Sequence, residues 1–320
     1  MATISSIPPT RQQQPAPKYG RAEAIAEARR ARRKQNLVGW LFISPIVVGV
    51  VAFQFFPILV SMAASLTSWN GISAPKFVGL KNFTDLFSND PLFLQTFKNT
   101  IYFTLASIPL TIGVGLILAL LCARPIRGVA FFRTAYFAPY VTNVVAIGFV
   151  WFWFFQPDNG VVNGLLSQVG VTGPQWLSSS SWAMPAVILV SVWQGIGYPM
   201  IILLAGLQGL PAEYFESARI DGAGSWSRLR YITLPLLTPH FLFLLITQFI
   251  TSFQVFGLIY VMTKGGPGHA TSVYIFNIYQ NAFSFGKVGY ASAMAWILFA
   301  VIAAVTYLQW KLQKRWVFYS

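Results

Sequence analysis

The chain has 320 residues, of which 55% are apolar and only 9% charged, whereas soluble domains carry about a quarter charged residues. That deficit excludes an ordinary soluble domain and points to lipid as the solvent of most of the chain. The 22 Lys+Arg outweigh the 8 Asp+Glu, but they flank apolar runs, which fits membrane flanks and argues against a nucleic-acid partner. The single cysteine, Cys122, excludes an intrachain disulfide framework and a cysteine-rich metal site.

Residues 1–37 form a basic leader, predicted to be cytoplasmic. Its first 20 residues are rich in Pro, Gln and Ser and are predicted to be disordered. Residues 21–35 have helix-forming composition with a dense run of arginines, an orientation signal with affinity for anionic membrane lipid. Residues 38–320 form one transmembrane domain with six apolar runs, at about 38–65, 98–122, 132–156, 182–208, 237–263 and 290–311. Each is long enough to cross a bilayer, which takes about 20 residues. The prolines inside them, Pro109, Pro139, Pro185 and Pro199, are expected to kink the spans. Counting Lys and Arg on alternate sides gives 17 on the side of the leader, the second and fourth connections and the tail, against five on the other. The positive-inside rule therefore predicts a multi-pass protein of the cell (inner) membrane with both termini in the cytoplasm.

The fourth connection, residues 209–236, is too polar to insert and too patterned for a slack loop. Pro211 suits the first turn of a helix, and Glu213 and Glu216 place negative charge near its positive end. The helix is expected to stop at Gly222 or Gly224. Ser225 is expected to cap a second short helix that ends or bends at Leu234, before Pro235. A generic connection needs only a few residues, so about 25 ordered ones imply a task.

The series Glu216-Ser217-Ala218, three residues, Gly222, nine residues, Ile232, one residue, Leu234-Pro235 resembles the EAA loop of binding-protein-dependent ABC-transporter permeases. Ser217 stands where the pattern has alanine, a small-for-small change. The runs VTNVVAIGFVWFWFF, VSVWQGIGYPMIILLAGLQGLP and FGLIYVMTKGGPGHAT are similar to the carbohydrate-uptake branch, in its maltose-type first permease subunit. The chain lacks that subunit's two extra spans and large insertion. The resemblance implies an all-α integral membrane fold, a six-helix importer bundle with a cytoplasmic EAA coupling helix. It implies as partners a second permease subunit, two ATPase subunits, an extracytoplasmic substrate-binding protein and a sugar. It also implies that Glu213, Glu216, Ser217, Ala218, Asp221, Gly222, Leu234 and Pro235 make the ATPase coupling contact.

The residues agree with this on separate grounds. No phosphate-cradling G-x-x-x-x-G-K-[ST] occurs, nor any H-E-x-x-H or G-x-S-x-G. The chain is therefore not read as an enzyme. No catalytic or metal residue and no cofactor is assigned to it, and ATP and Mg would be bound by the partner ATPase. Ion-coupled transport needs ionisable groups within spans, and the span interiors lack them. His240 and His269 are read as interfacial. A passage without charge suits a neutral polar cargo, because an anion usually meets Arg or a helix N-terminus. Gln248, Thr251 and Ser252 share one helical face, with Ser191 and Gln194 in the preceding span. The resemblance adds Gly195, and gives Ser191, Gln194, Gly195, Gln248 and Ser252 as positions of sugar contact. Trp193 is a further candidate. The predicted function is the permease subunit of an ATP-driven importer that brings a neutral di- or oligosaccharide into the cell by alternating access. The alternative is the same machinery carrying glycerol 3-phosphate, a glycerol phosphodiester or a polyol.

Overall fold

The computed structural model describes residues 21–124 and 127–318. The predicted disorder of residues 1–20 lies outside them. The chain divides into two compact units at Val60. The N-terminal one is helical from Arg21 to Val50 (α1), with a π turn over Val51–Phe55. α1 carries Pro45 without a break. The helix α2, Phe56–Ser65, runs into the larger unit.

The second unit is a helical bundle, with one isolated bridge, Thr67 to Phe77, as the only β pairing among the described residues. Its post is α4, Pro91–Cys122, capped by Asp90, whose Oδ1 accepts from the amides of Leu92 and Phe93. Four helices are long and apolar enough to cross a membrane: Arg32–Ser65, Pro91–Cys122, Thr238–Met262 and Val288–Arg315. Two bent pairs are long and apolar enough to bring the count to six if each is one span, α5 (Val129–Val141) with α6 (Val144–Phe154), and α8 (Ala183–Gly195) with α9 (Gly197–Gln208).

The third predicted span is therefore broken, by 97° at Thr142–Asn143. Its physical cause is local. Pro139 lacks an amide hydrogen, Thr142 is extended, and Asn143 caps the next helix by accepting from the Val145 amide at 2.8 Å. The Thr142 hydroxyl donates back to the Ala138 carbonyl at 2.8 Å, so the break leaves less backbone unpaired. The fourth span bends by 41° at Ile196, three residues ahead of Pro199. Pro109, by contrast, sits inside an unbroken α4. Kinking is thus decided by whether neighbours re-satisfy the backbone, not by proline alone.

The post packs against α8, α9, α13 (Thr238–Phe253) and α15 (Tyr274–Tyr279). A core of Ile108, Ile112, Met200, Leu203, Leu237 and Leu244 joins α4, α9 and α13. Close approach there requires glycine: a Cβ on Gly115 would lie 2.8 Å from the Pro199 Cβ and 3.2 Å from the Met200 nitrogen. The turn after span five is pinned to the post, since Asn99 Nδ2 donates to the carbonyls of His269 and Ser272, both at 2.9 Å. Nearby, Tyr274 donates from its hydroxyl to the Met294 carbonyl, and burial, then the Asp90 charge, hold its phenol above the ordinary range.

Replacing Gly115 by valine is expected to cost about 1–3 kcal/mol through overpacking. A melting temperature lowered by several degrees in detergent, with Gly224→Ala unchanged because nothing lies within 4 Å of its added Cβ, checks this.

Candidate functional site

Two sites stand out in the bundle, joined by one helical path. The first is the connection at 209–236. Pro211 is extended and precedes the helix rather than occupying its first turn, and α10 runs Ala212–Ile220. Glu213 lies in the first turn and Arg219 in the last, each at the end its charge suits. Gly222 adopts φ +76°. The Ala223 amide donates to the Ala218 carbonyl at 2.8 Å and the Gly222 amide to the Arg219 carbonyl at 3.1 Å. These two bonds are the paired closure of a Schellman stop, which favours glycine at this position.

Beyond it, Gly224 rather than Ser225 precedes α11, Ser225–Arg228, and the Ser225 hydroxyl instead accepts from Arg228. The expected end at Leu234 does not occur. The helix passes through a π turn at Leu229–Thr233, then α12 at Leu234–Leu236, and into α13 with Leu237 still helical. Prolines are accommodated on the way. Pro239 has no amide hydrogen to give the Pro235 carbonyl, and the Thr238 hydroxyl donates to that carbonyl at 2.6 Å instead.

Of the predicted coupling residues, Glu213, Glu216, Ser217, Asp221 and Gly222 are exposed, Leu234 and Pro235 are half-buried, and Ala218 is buried. Ala218 thus faces its own chain. A groove of ≈ 400 Å³ lies beside it, lined by Tyr214, Ser217, Asp221, Tyr231, Pro235 and Phe318 among others. Ile220 is 87% exposed and Trp226 and Tyr231 72% each, a cluster of large apolar side chains on one short polar segment. Such patches mark interaction surfaces.

The second site is a cavity of ≈ 430 Å³ lined by Phe103, Ser107, Thr111, Tyr140, Ser191, Gln194, Gly195, Tyr198, Thr247, Gln248, Thr251, Ser252 and Val255. It brings together five of the six residues predicted to meet cargo. Trp193 is not among them: it packs edge-on against Trp151, with ring centroids 5.5 Å apart, because position 193 turns away from the face shared by 191, 194 and 195. The Thr251 hydroxyl bonds to carbonyls of its own helix, as do those of Thr247 and Ser252. The amides of Gln194 and Gln248 engage no hydrogen bond among the described residues, so their donors and carbonyls are available to a ligand. Gly195 keeps the wall thin, since a Cβ there would sit 3.3 Å from the Thr111 methyl. Tyr140 and Tyr198 stack with centroids 5.2 Å apart, giving the cavity an aromatic face. None of its lining residues is Asp, Glu, Lys, Arg or His.

Sequence reasoning missed Ser107, Thr111 and Tyr140. The first two carried a usable signal: Thr96, Thr100, Thr104, Ser107 and Thr111 recur at offsets of three and four and are all buried, a hydroxyl stripe along one face of α4. Tyr140 had none, because its position depends on the bend at Thr142.

Comparison with known proteins decides the family. Residues 111–318 match the family described as binding-protein-dependent transport system inner membrane component. The chain belongs to this family. The permease is 38% identical over 303 residues to the probable ABC transporter permease protein YesP of Bacillus subtilis (strain 168), covering 93% of this chain and 97% of that one. It is 35% identical to the lactose transport system permease protein LacF of Rhizobium radiobacter, over 87% of this chain and 94% of that one. It is 32% identical to the sn-glycerol-3-phosphate transport system permease protein UgpA of Brucella abortus biovar 1 (strain 9-941), over 89% and 97%. Its fold matches the solved structure of a bacterial alginate ABC transporter with a TM-score of 0.77 at 22% identity, covering 88% of this chain and 96% of that one. The all-helical permease fold, and a role as membrane component rather than enzyme, follow from these matches.

Replacing Gly222 by valine forces a β-branched side chain into positive φ, a strain of about 1–3 kcal/mol. Hydrogen exchange of residues 212–224 in the Gly222→Val permease is expected to quicken several-fold while that of α4 stays as it was.

Proposed function

We propose that the permease carries a neutral di- or oligosaccharide into the cell as one of two membrane subunits of an ATP-driven importer. A separate pair of ATPase subunits binds ATP and Mg, and an extracytoplasmic protein delivers the sugar. The observation that carries this reading is the uncharged cavity whose Gln194 and Gln248 amides are free, standing at one end of a helix whose other end is the exposed coupling segment. Amides, hydroxyls and aromatic faces are the groups that hold a neutral polyol, and this wall offers no cation for a phosphate. The sugar-permease names among the relatives support the same cargo class, whereas UgpA supports the phosphate alternative. Both termini and residues 209–236 are assigned to the cytoplasm from the distribution of basic residues.

In mechanism, α10 docks in a cleft of an ATPase subunit, with Glu213, Glu216, Ser217 and Asp221 on its free surface. Closure of the ATPase pair displaces α10, and the helical path through α13 carries the displacement to Gln248 and Ser252. The wall formed by α13 then moves against Gln194 on α8, opening the cavity to one side of the membrane at a time.

Each glutamine amide contributes about 1 kcal/mol if it bonds to sugar, so Gln194→Leu and Gln248→Leu are each expected to raise the KM for uptake in proteoliposomes about fivefold. An unchanged KM for both contradicts the assignment of the cavity. In Glu216→Arg the expected result is loss of binding-protein-stimulated ATP hydrolysis with the complex either assembled or dissociated. Full stimulation contradicts the coupling role.

A further inference from the structure

A second cavity, larger than the central one, opens at the opposite end of the bundle and has no part in the reading above. Its volume is ≈ 840 Å³, within the range of small-molecule sites. The two cavities are far apart. The post α4 starts beside this one, at Asp90 and Leu92, and reaches the central one at Phe103, 11 residues or about 16 Å further along. Its distance from the coupling segment is fixed by α16, Val288–Leu312. At the start of that helix the Tyr290 hydroxyl donates to Asp90 Oδ2 at 2.7 Å. Past its end, the Phe318 amide donates to the Thr238 hydroxyl at the base of α13.

The chemistry of the wall is polar and specific. At its floor lie Asn277 and Asn281, 3% and 6% exposed. Asn281 Nδ2 donates to both the backbone carbonyl and the Oδ1 of Asn277, at 3.0 and 2.9 Å. That fixes the orientation of the Asn277 amide, whose own Nδ2 finds no acceptor among the described residues. Buried polar groups are nearly always paired, and an unpaired one at the floor of a cavity asks for a partner. Asn82, 8% exposed, is held by its Nδ2 on the carbonyls of Ser65 and Thr67. Lys81 and Lys287 are exposed at the rim, Asp85 is half-buried, and the ring of Trp69 forms part of the wall. The two lysines balance Asp85 and Asp90 in formal charge.

A concave wall of amides, two carboxylates, two ammonium groups and an indole, without net charge, is the chemistry that recognises vicinal hydroxyls. We infer that this cavity is a second saccharide site, on the extracytoplasmic mouth of the permease, which holds a neutral sugar before it reaches the central cavity. The inference rests on the transport reading for its orientation and for its ligand class. A protein lobe seated in the same cavity is the competing occupant.

Saturation-transfer NMR on the assembled transporter in nanodiscs, without its binding protein, tests this with maltotriose as probe and glycerol 3-phosphate as the anionic comparator. Three permeases are compared: unaltered, the rim variant Asp85→Ala with Lys287→Met, and the central variant Gln194→Leu with Gln248→Leu. Lys287 is exposed and Asp85 is half-buried, its Oδ1 accepting from Asn89 Nδ2 at 3.1 Å, and the melting temperature monitors the fold. The expected result is a maltotriose signal that survives in the central variant and weakens about 25-fold in affinity in the rim variant, two lost hydrogen bonds' worth. A signal abolished by the central variant and untouched at the rim overturns the inference while leaving the transport reading intact. Absence of signal in the unaltered permease, or preference for glycerol 3-phosphate, also overturns it. Loss of binding-protein docking in the rim variant, with the maltotriose signal unchanged, gives the cavity to the protein partner instead.

Discussion

The structure depends on helical continuity from Ser225 to Phe253. Over that stretch the chain contains Pro235 and Pro239 and leaves the cytoplasm-assigned segment for the membrane, yet the helix is interrupted at one residue alone, the turn at Leu237, whose φ −84° and ψ −2° stay near the right-handed helical region. Inside a bilayer an unpaired backbone group costs several kcal/mol, and each proline removes a donor. The chain meets this with a π turn at 229–233 and with the Thr238 hydroxyl in place of the missing donor for Pro235. A rod that retains its hydrogen bonds transmits a displacement, and a slack loop absorbs it. From Leu234 to Gln248 the rod spans 14 residues, about 21 Å along its axis.

The absence of charge from the central cavity is the other half of the same argument. A cation or carboxylate in a low-dielectric wall is costly unless paired, and it selects for its opposite. Hydroxyls that bond to their own helix, as those of Thr247, Thr251 and Ser252 do, are stable without cargo. The Gln194 and Gln248 amides are the groups left over, and they stand in the two elements, α8 and α13, that move relative to one another in the proposed mechanism. Stability of the empty bundle and availability to cargo are thus divided between different side chains lining one cavity.

Apolar runs and the spacing from Glu216 to Pro235 made the membrane class, the family and the exposed helix α10 legible in the sequence, because these are properties of contiguous residues. The face carrying Gln248, Thr251 and Ser252 was legible from helical offsets for the same reason, whereas Ser191 and Gln194 stood out as polar residues within an apolar span. What was not legible depends on partners distant in sequence. Pro139 and Pro109 look alike, yet only the first precedes a break, since Thr142 and Asn143 follow it with side chains that cap a new helix. Trp193, a candidate for cargo contact from its place beside Gln194, packs on Trp151, a contact across 42 positions. The outer cavity draws on residues near 70, 85 and 281 that share no pattern, and they are brought together by bonds between distant positions, Tyr290 to Asp90 and the Gly289 amide to the Trp69 carbonyl.

The central claim is that a stiff helix joins an external motor to the cargo cavity. Two glycines inserted after Leu236 interrupt that helix and its register while leaving the residues of both ends unchanged. The direct measurement is the number of sugar molecules imported per ATP hydrolysed by the reconstituted transporter carrying this insertion. The account predicts that hydrolysis persists while the ratio falls toward zero. A ratio equal to that of the unaltered transporter contradicts it.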